Sequence, residues 1–276
     1  MAALDQTIRT WDGLKLRVRT WAGGTRTPLL CLPGIIRTAE DYDDLAARHP
    51  DRRVVSLDYP GRGHSDYASS PARYRPEDTL RDVLDICAAV HLDRAIVIGT
   101  SFGGLLAMGL AAARPSLVAA AVLNDIGPEV GTEGGAFVRA FIAEDPALPD
   151  LQAAATHLRA KLPFLSLTTD AHWQRFATLT YAPGPDGLWH PLWDTRLATL
   201  LNSAPPNLWP LFGTLANRPL LLVHGAISTL LLPGTVSRMQ QAHPSMTVVT
   251  VPACGHAPTL AEPEAERALD LFLAQL

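Results

Sequence analysis

The chain has 276 residues, an apolar fraction of 47% and a formal charge of −4, which suits one large α/β domain, or a domain with an insertion, and excludes a disordered polymer. A pI near 6.1 and scattered arginines offer no basic field to nucleic acid or anionic lipid, so the expected partner is a small, mostly uncharged ligand. Cys31, Cys87 and Cys254 are odd in number and lack metal-ligand spacing, which argues against a disulfide framework or a metal site and for reduced, cytoplasmic thiols.

Met1 to Thr10 carries no basic region followed by an apolar run, and no apolar segment reaches about 18 residues, so neither a signal peptide nor a membrane span is expected. From Ile8 to Ala22 two alternating segments flank Asp12-Gly13, a dipeptide suited to the positive φ of a tight turn, and predict an antiparallel start to a sheet. Pro28 to Leu32 reads as a short buried strand leading into Pro33-Gly34-Ile35-Ile36-Arg37-Thr38, where Gly34 lets backbone come close to a ligand. A helix follows from about Ala39 to Arg48. Val54 to Leu57 is another strand, opening into Asp58 to Asp66, whose glycines and Asp58 predict a structured turn. His64 falls in that turn and is read as structural.

Helical periodicity from Pro76 to His91 precedes the stretch around which the chain is organised. There the apolar strand Arg94 to Ile98 ends in Gly99-Thr100-Ser101-Phe102-Gly103, and the strong helix formers Leu105 to Ala113 follow, ending before Pro115. This is a strand, a sharp turn and a helix with Ser101 at the turn. Such a turn is sterically poor for any side chain, and Gly99 and Gly103 let strand and helix approach closely. The N–H groups opening the helix point back at the turn, where they could meet a negative charge developing on a substrate oxygen. Ser101 is therefore the candidate nucleophile.

Val118 to Leu123 repeats the alternation of strand and helix that builds a parallel sheet. After Asn124-Asp125-Ile126-Gly127-Pro128 the alternation stops, and about 90 residues pass before the next apolar strand, Pro219 to Val223, which is too long for an ordinary connection. The expected organisation is a core of residues 1–127 and 218–276 with a helical lid at 128–217. Within the lid, Ala136 to Ala143 and Leu151 to Leu162 read as helices. Four of the six tryptophans, Trp173, Trp189, Trp193 and Trp209, lie there. A lid over the site would set such aromatics against a substrate, with Trp189 and Trp193 as the expected contacts; the alternative is that they form the lid's own core.

The sheet resumes with Pro219 to Val223 and Thr247 to Val251, separated by a helix near Pro233 to Ala242. Before the last helix, Glu264 to Gln275, the loop Cys254-Gly255-His256-Ala257-Pro258 sets His256 at the carboxyl edge of the sheet, where the Ser101 turn also lies and where ligands gather in such folds. A neutral imidazole there can take the proton of Ser101 and return it to a leaving group. His256 is the candidate base.

Together these residues resemble the α/β-hydrolase superfamily over nearly the whole chain, and within it the lid-bearing esterase, lactonase and carbon–carbon hydrolase branch. The matching pieces are Leu32-Pro33-Gly34-Ile35, Asp58 to Asp66, Gly99 to Gly104, Asn124 to Pro128, and Gly255-His256-Ala257-Pro258. The resemblance implies a mostly parallel eight-stranded sheet flanked by helices, with a helical cap after the sixth strand. It also implies an oxyanion hole formed by the backbone N–H groups of Ile35 and Phe102. A serine nucleophile sets the chain apart from the aspartate-dependent epoxide hydrolases and haloalkane dehalogenases of the same fold.

One departure from that pattern matters. Most relatives carry, after the seventh strand, the aspartate that orients the histidine, and here Thr229 stands in its place, in Gly225-Ala226-Ile227-Ser228-Thr229-Leu230. Threonine cannot hold a negative charge, and replacing the acid by an amide in an intact site can cost about 10⁴ in turnover. Asp125 is the natural substitute, because it ends the sixth strand, beside the nucleophile strand, and keeps the order Ser, Asp, His. Glu129, Asp186 and Asp194 are further candidates, and a site with no acid at all is the alternative. The resulting expectation is a cofactor-independent serine hydrolase of a small carboxylic ester or lactone. A carbon–carbon bond hydrolase of a diketone-like substrate, and a non-catalytic binding protein marked by Thr229, stand as alternatives.

Overall fold

The computed structural model describes residues 3–202 and 207–276; Met1 and Ala2 of the N-terminal stretch, and four positions of the expected lid, lie outside the described residues. The chain opens with a hairpin around the expected Asp12-Gly13 turn, β1 (Ala3–Arg9) and β2 (Lys15–Trp21), whose first strand begins well ahead of the expected Ile8 and in which Gly13 alone of the turn pair takes a positive φ, +90°. There follow β3 (Arg26–Leu32), a short 3-10 segment (Ala39–Tyr42) continuing into α1 (Asp43–Arg48), β4 (Arg52–Leu57) and α2 (Pro76–Ala89). Next come β5 (Ala95–Thr100), α3 (Phe102–Ala113) and β6 (Val118–Asn124).

Between β6 and the next strand of the main sheet lie α4 (Thr132–Ala143), α5 (Leu151–Lys161), α6 (Asp170–Thr178), a small hairpin of β7 (Tyr181–Pro183) and β8 (Trp189–Pro191), and α7 (Trp209–Gly213). The chain closes with β9 (Leu220–Gly225), α8 (Pro233–Ala242), β10 (Thr247–Val251) and α9 (Pro263–Ala274). Among the described residues no helix is long and apolar enough to cross a membrane.

The main sheet has eight strands in the order β1-β2-β4-β3-β5-β6-β9-β10, antiparallel as far as β4 and parallel from there on. Its central strands are buried without alternation, as expected when helices cover both faces. One face sets Leu30, Val97, Leu123 and Leu222 against Ile86 of α2, Leu106 of α3 and Met239 of α8. The other sets Leu29, Ile98, Val122 and Val223 against Leu45 of α1 and Phe272 of α9. A third apolar cluster, with Phe141, Leu158, Trp173, Tyr181, Trp193 and Leu197, holds the inserted segment together.

This topology also places the site. From β3 the chain crosses to β4 on one side, and the next parallel strand, β5, lies on the other. The crevice at the carboxyl ends of β3 and β5 is the switch point at which open α/β sheets bind ligands. The loop after β3 and the turn after β5 both open into it. Buried Asp58, at the end of β4, fixes the neighbouring loops by accepting hydrogen bonds from the backbone N–H groups of Ala39 (2.8 Å) and His64 (3.0 Å) and from the Arg17 guanidinium (3.1 Å). Burial pushes the Asp58 carboxyl up, but the hydrogen bonds from His64 and Ala39 and the Arg17 charge outweigh it, leaving the pKa below the ordinary carboxylate value. Asp58 and His64 thus act within the turn, as the sequence suggested.

Candidate active site

Ser101 adopts φ 51° and ψ −116°, a backbone conformation outside the ordinary regions for a residue with a side chain. Such conformers cost about 1–3 kcal/mol and persist only where the surroundings over-determine them. Here the Ser101 N–H is tied to the Asn124 carbonyl at 3.0 Å, and its own carbonyl accepts from Gly104 N–H at 2.8 Å. The flanking glycines are required by contact. A Cβ on Gly103 would stand 1.9 Å from the Leu32 carbonyl oxygen, and one on Gly99 would stand 2.4 Å from the Gly103 backbone.

His256 reaches this turn from the loop after β10. Its Nε2 lies 2.9 Å from Ser101 Oγ, and its Nδ1 lies 2.8 Å from Asp125 Oδ2. The carboxylate selects the tautomer with the proton on Nδ1, which leaves Nε2 to accept from the serine hydroxyl. The histidine loop is held from two sides: Gly255 N–H donates to the Phe164 carbonyl of the inserted segment at 2.8 Å, and Asn124 Nδ2 donates to the Pro258 carbonyl at 2.8 Å.

Asp125 is fully buried at the end of β6, with φ 52°. Its N–H donates to the Val223 carbonyl at 2.8 Å, and its Oδ1 accepts the Gly225 N–H at 2.9 Å. One carboxylate oxygen is therefore anchored to β9 while the other faces the imidazole. Thr229 is exposed on the cavity wall, and His256 Nδ1 is already engaged by Asp125. The other acids are occupied elsewhere. Glu129 bonds Trp209 Nε1 at 2.7 Å and pairs with Arg238, Asp186 faces His190 at 3.1 Å, and Asp194 accepts from Tyr74 Oη at 2.7 Å.

The loop after β3 flanks the serine on its other side, since a Cβ on Gly34 would stand 4.0 Å from Ser101 Cβ. Phe102 is the first residue of α3, so its N–H has no intrahelical acceptor. Neither this N–H nor that of Ile35 is engaged by another group among the described residues. Phe102 N–H is thus a free donor adjoining Ser101 in the chain, and Ile35 N–H a free donor in the loop whose Gly34 lies beside the serine.

Ser101 and His256 open onto a cavity of about 950 Å³ between the sheet edge and the inserted segment. Most of its wall is apolar, with Ile35, Phe137, Val138, Phe141, Leu158 and Leu230, and charged side chains such as Arg37, Lys161 and Arg175 line the remainder. Trp189 and Trp193, expected as substrate contacts, do not line it, which corrects their placement. Trp193 is buried, donates from Nε1 to the Ile142 carbonyl at 2.9 Å and packs on Phe141 and Tyr181. Trp189 is half-buried in β8, where its N–H and carbonyl pair with Leu148. An indole that satisfies its N–H within its own segment packs better as core than as wall.

Sequence reasoning missed the aromatic wall of α4 and the supports Asn124 and Phe164. The spacing of Phe137, Val138, Phe141 and Ile142 on one helical face was the available signal for the wall.

A doubly covered parallel sheet with a serine turn, a loop histidine and a buried aspartate at its carboxyl edge defines a class. A sequence profile for the alpha/beta hydrolase fold matches residues 27–263, and the chain belongs to this family. It is 31% identical over 247 residues to a 3-hydroxybutyrate-oligomer hydrolase of Cupriavidus necator, covering 85% of this chain and 84% of that one. It is 26% identical to a 2-(acetamidomethylene)succinate hydrolase of Mesorhizobium japonicum, over 87% of this chain and 85% of that one. An alpha/beta hydrolase from Novosphingobium aromaticivorans, known from its crystal structure, superposes with a TM-score of 0.94 at 38% identity, over 100% of both chains.

Proposed function

We propose that the protein is a serine hydrolase that cleaves an uncharged aliphatic carboxylic ester through an acyl-enzyme. The observation that carries this reading is the continuous relay from Ser101 Oγ through His256 to Asp125, at 2.9 and 2.8 Å. Ser101 attacks the ester carbonyl as His256 Nε2 takes its proton, and the N–H groups of Ile35 and Phe102 receive the oxyanion. Collapse of the tetrahedral adduct expels the alcohol, which takes the proton from His256 and leaves the acyl group on Ser101. A water then gives its proton to His256 and attacks the acyl carbon. The second collapse frees the carboxylic acid and returns the proton to Ser101. Asp125 holds the imidazole and stabilises its cationic form throughout.

The apolar wall favours an uncharged acyl chain. The relative that acts on 3-hydroxybutyrate oligomers makes short hydroxy-acid oligoesters the first natural substrates to try. Residues 128–217 act in this reading as a cap that shapes the cavity. With Asp125 supplying the carboxylate, the threonine at 229 no longer argues for a binding protein without turnover.

The test is hydrolysis of a short-chain aryl ester by the parent, Ser101→Ala and Thr229→Asp, side by side. The parent should turn over, the alanine variant should lose about 10⁶ in kcat, and the aspartate variant should gain nothing. Undiminished activity in Ser101→Ala would overturn the mechanism. A gain of several orders of magnitude in Thr229→Asp would show that the parent lacks a working acid.

A further inference from the structure

The loop between Asp58 and Asp66 holds a group that the mechanism above leaves unused. Arg62 is fully buried, with 0% of its surface exposed. A guanidinium at such depth ordinarily faces a carboxylate. Among the described residues none pairs with it, and Asp194, whose charge it feels, is bound to Arg196 and to Tyr74. Instead Arg62 Nε donates to the Ile35 carbonyl at 2.8 Å and Nη1 to the Pro60 carbonyl at 2.6 Å, while Nη2 is buried without a partner. Its Cζ stands 5.6 Å from the Tyr59 ring, 5.5 Å from Tyr74 and 5.9 Å from Phe102. Burial pulls its pKa down to about 10, which leaves it charged at neutral pH.

Arg62 therefore reaches both residues of the proposed oxyanion hole: it donates to the Ile35 carbonyl, and its Cζ lies over the Phe102 ring at 5.9 Å. We infer that Arg62 is a positioning residue for the oxyanion hole, fixing the Ile35 and Phe102 backbone and biasing the pocket electrostatically toward the tetrahedral oxyanion. An unpaired cation away from water is costly, and two carbonyls and three rings offset only part of that cost. A negative charge developing in the pocket that Arg62 backs offsets more, whereas the neutral ester carbonyl does not. That difference is the condition for stabilising a transition state over a ground state, and low local dielectric enlarges it.

The inference rests on the serine-hydrolase reading, and its test separates the two. Release of aryl alcohol from an activated ester is measured first for the parent and Ser101→Ala. If the release does not depend on Ser101, both readings fall. If it does, Arg62→Met and Arg62→Lys are compared with the parent for kcat, KM and the affinity of an alkyl boronic acid, which forms a tetrahedral anion on Ser101.

Arg62→Met should lower kcat by about 30- to 100-fold with KM within about threefold, because removing one direct oxyanion donor costs about 10²–10³ and Arg62 acts one step behind the donors. Boronate affinity should fall in parallel, and Arg62→Lys should recover part of both losses. If the methionine variant does not fold, Arg62→Gln, which can still donate to the Ile35 carbonyl without a charge, takes its place with the same expectation. A folded neutral variant with kcat within about threefold of the parent overturns the inference. So does one whose loss lies in KM alone, or one whose kcat falls with boronate affinity unchanged.

Discussion

The sheet core and the inserted segment are built by different means. In the core, each residue of the relay sits at the end of a parallel strand or in a loop pinned to one: Ser101 N–H to the Asn124 carbonyl, Asp125 to Val223 and Gly225, and the His256 loop to Asn124. The insert has five-to-twelve-residue helices and a hairpin of two three-residue strands, gathered around Phe141, Trp173, Tyr181 and Trp193. Backbone hydrogen bonds locate atoms to a few tenths of an ångström. Aromatic packing fixes a shape and a volume. In the proposed reading, chemistry is accordingly placed in the first region, and the choice of what fits falls to the second.

That division can be broken most severely at Asp125. Asp125→Asn keeps the size and one acceptor but loses the charge, and kcat for an aryl ester should fall by about 10⁴. An unchanged rate would mean that the carboxylate does not serve the imidazole. In the insert, Trp193→Ala removes a buried ring and an indole hydrogen bond, and should destabilise the protein by about 3–5 kcal/mol in denaturant unfolding. Below the transition its kcat should stay within a few-fold of the parent, which the assignment of Trp193 to core rather than wall requires. A large change in substrate preference would return it to the cavity.

Phe137, at 43% exposure on the cavity wall, should behave in the opposite way. Phe137→Ala is expected to shift the kcat/KM ratio between long and short acyl esters by about tenfold, with little change in stability. Equal effects on both esters would take Phe137 out of substrate selection.

The smallest effect expected is one of pH. His190 in β8 lies between Asp145 (2.9 Å) and Asp186 (3.1 Å), whose hydrogen bonds raise its pKa above the ordinary 6.5. A histidine with a raised folded pKa contributes stability that is fully present below about 6.5 and is lost as the pH climbs through the folded value. Amide exchange in the β7–β8 hairpin should therefore quicken modestly as the pH rises above about 6.5 and through the raised folded value, after correction for intrinsic rates, and His190→Gln should remove that dependence. A hairpin equally protected at all pH values would show that this clamp contributes nothing.

The same division governs how much could be read from the sequence. The periodicity of Thr247 to Val251 and Pro233 to Ala242 coincides with β10 and α8, because parallel strands and their covering helices are uniformly apolar or clearly amphipathic. The β7–β8 hairpin escaped, since three-residue strands are too short to show alternation. Ser101 was legible through its glycines, and His256 through its place after the last strand. Which of Asp125 and position 229 stands beside His256 was not decidable from residue order, because it turns on Gly225 N–H anchoring one oxygen of Asp125 across two strands. Arg62 was hidden for another reason. Arginine in a glycine-rich loop reads as surface, and only the packing of Tyr59, Tyr74 and Phe102 around it reveals a buried cation.

If the carboxylate at the end of β6 serves His256 as proposed, the proposed nucleophile and acid follow adjacent strands, and the loop from Ala226 to Leu232 has no charge to deliver. Ile227 and Thr229 on that loop face the cavity instead. A position relieved of one obligation is open to another. This loop can drift in sequence, and the enzyme can acquire new preferences there, without passing through variants that have lost their turnover.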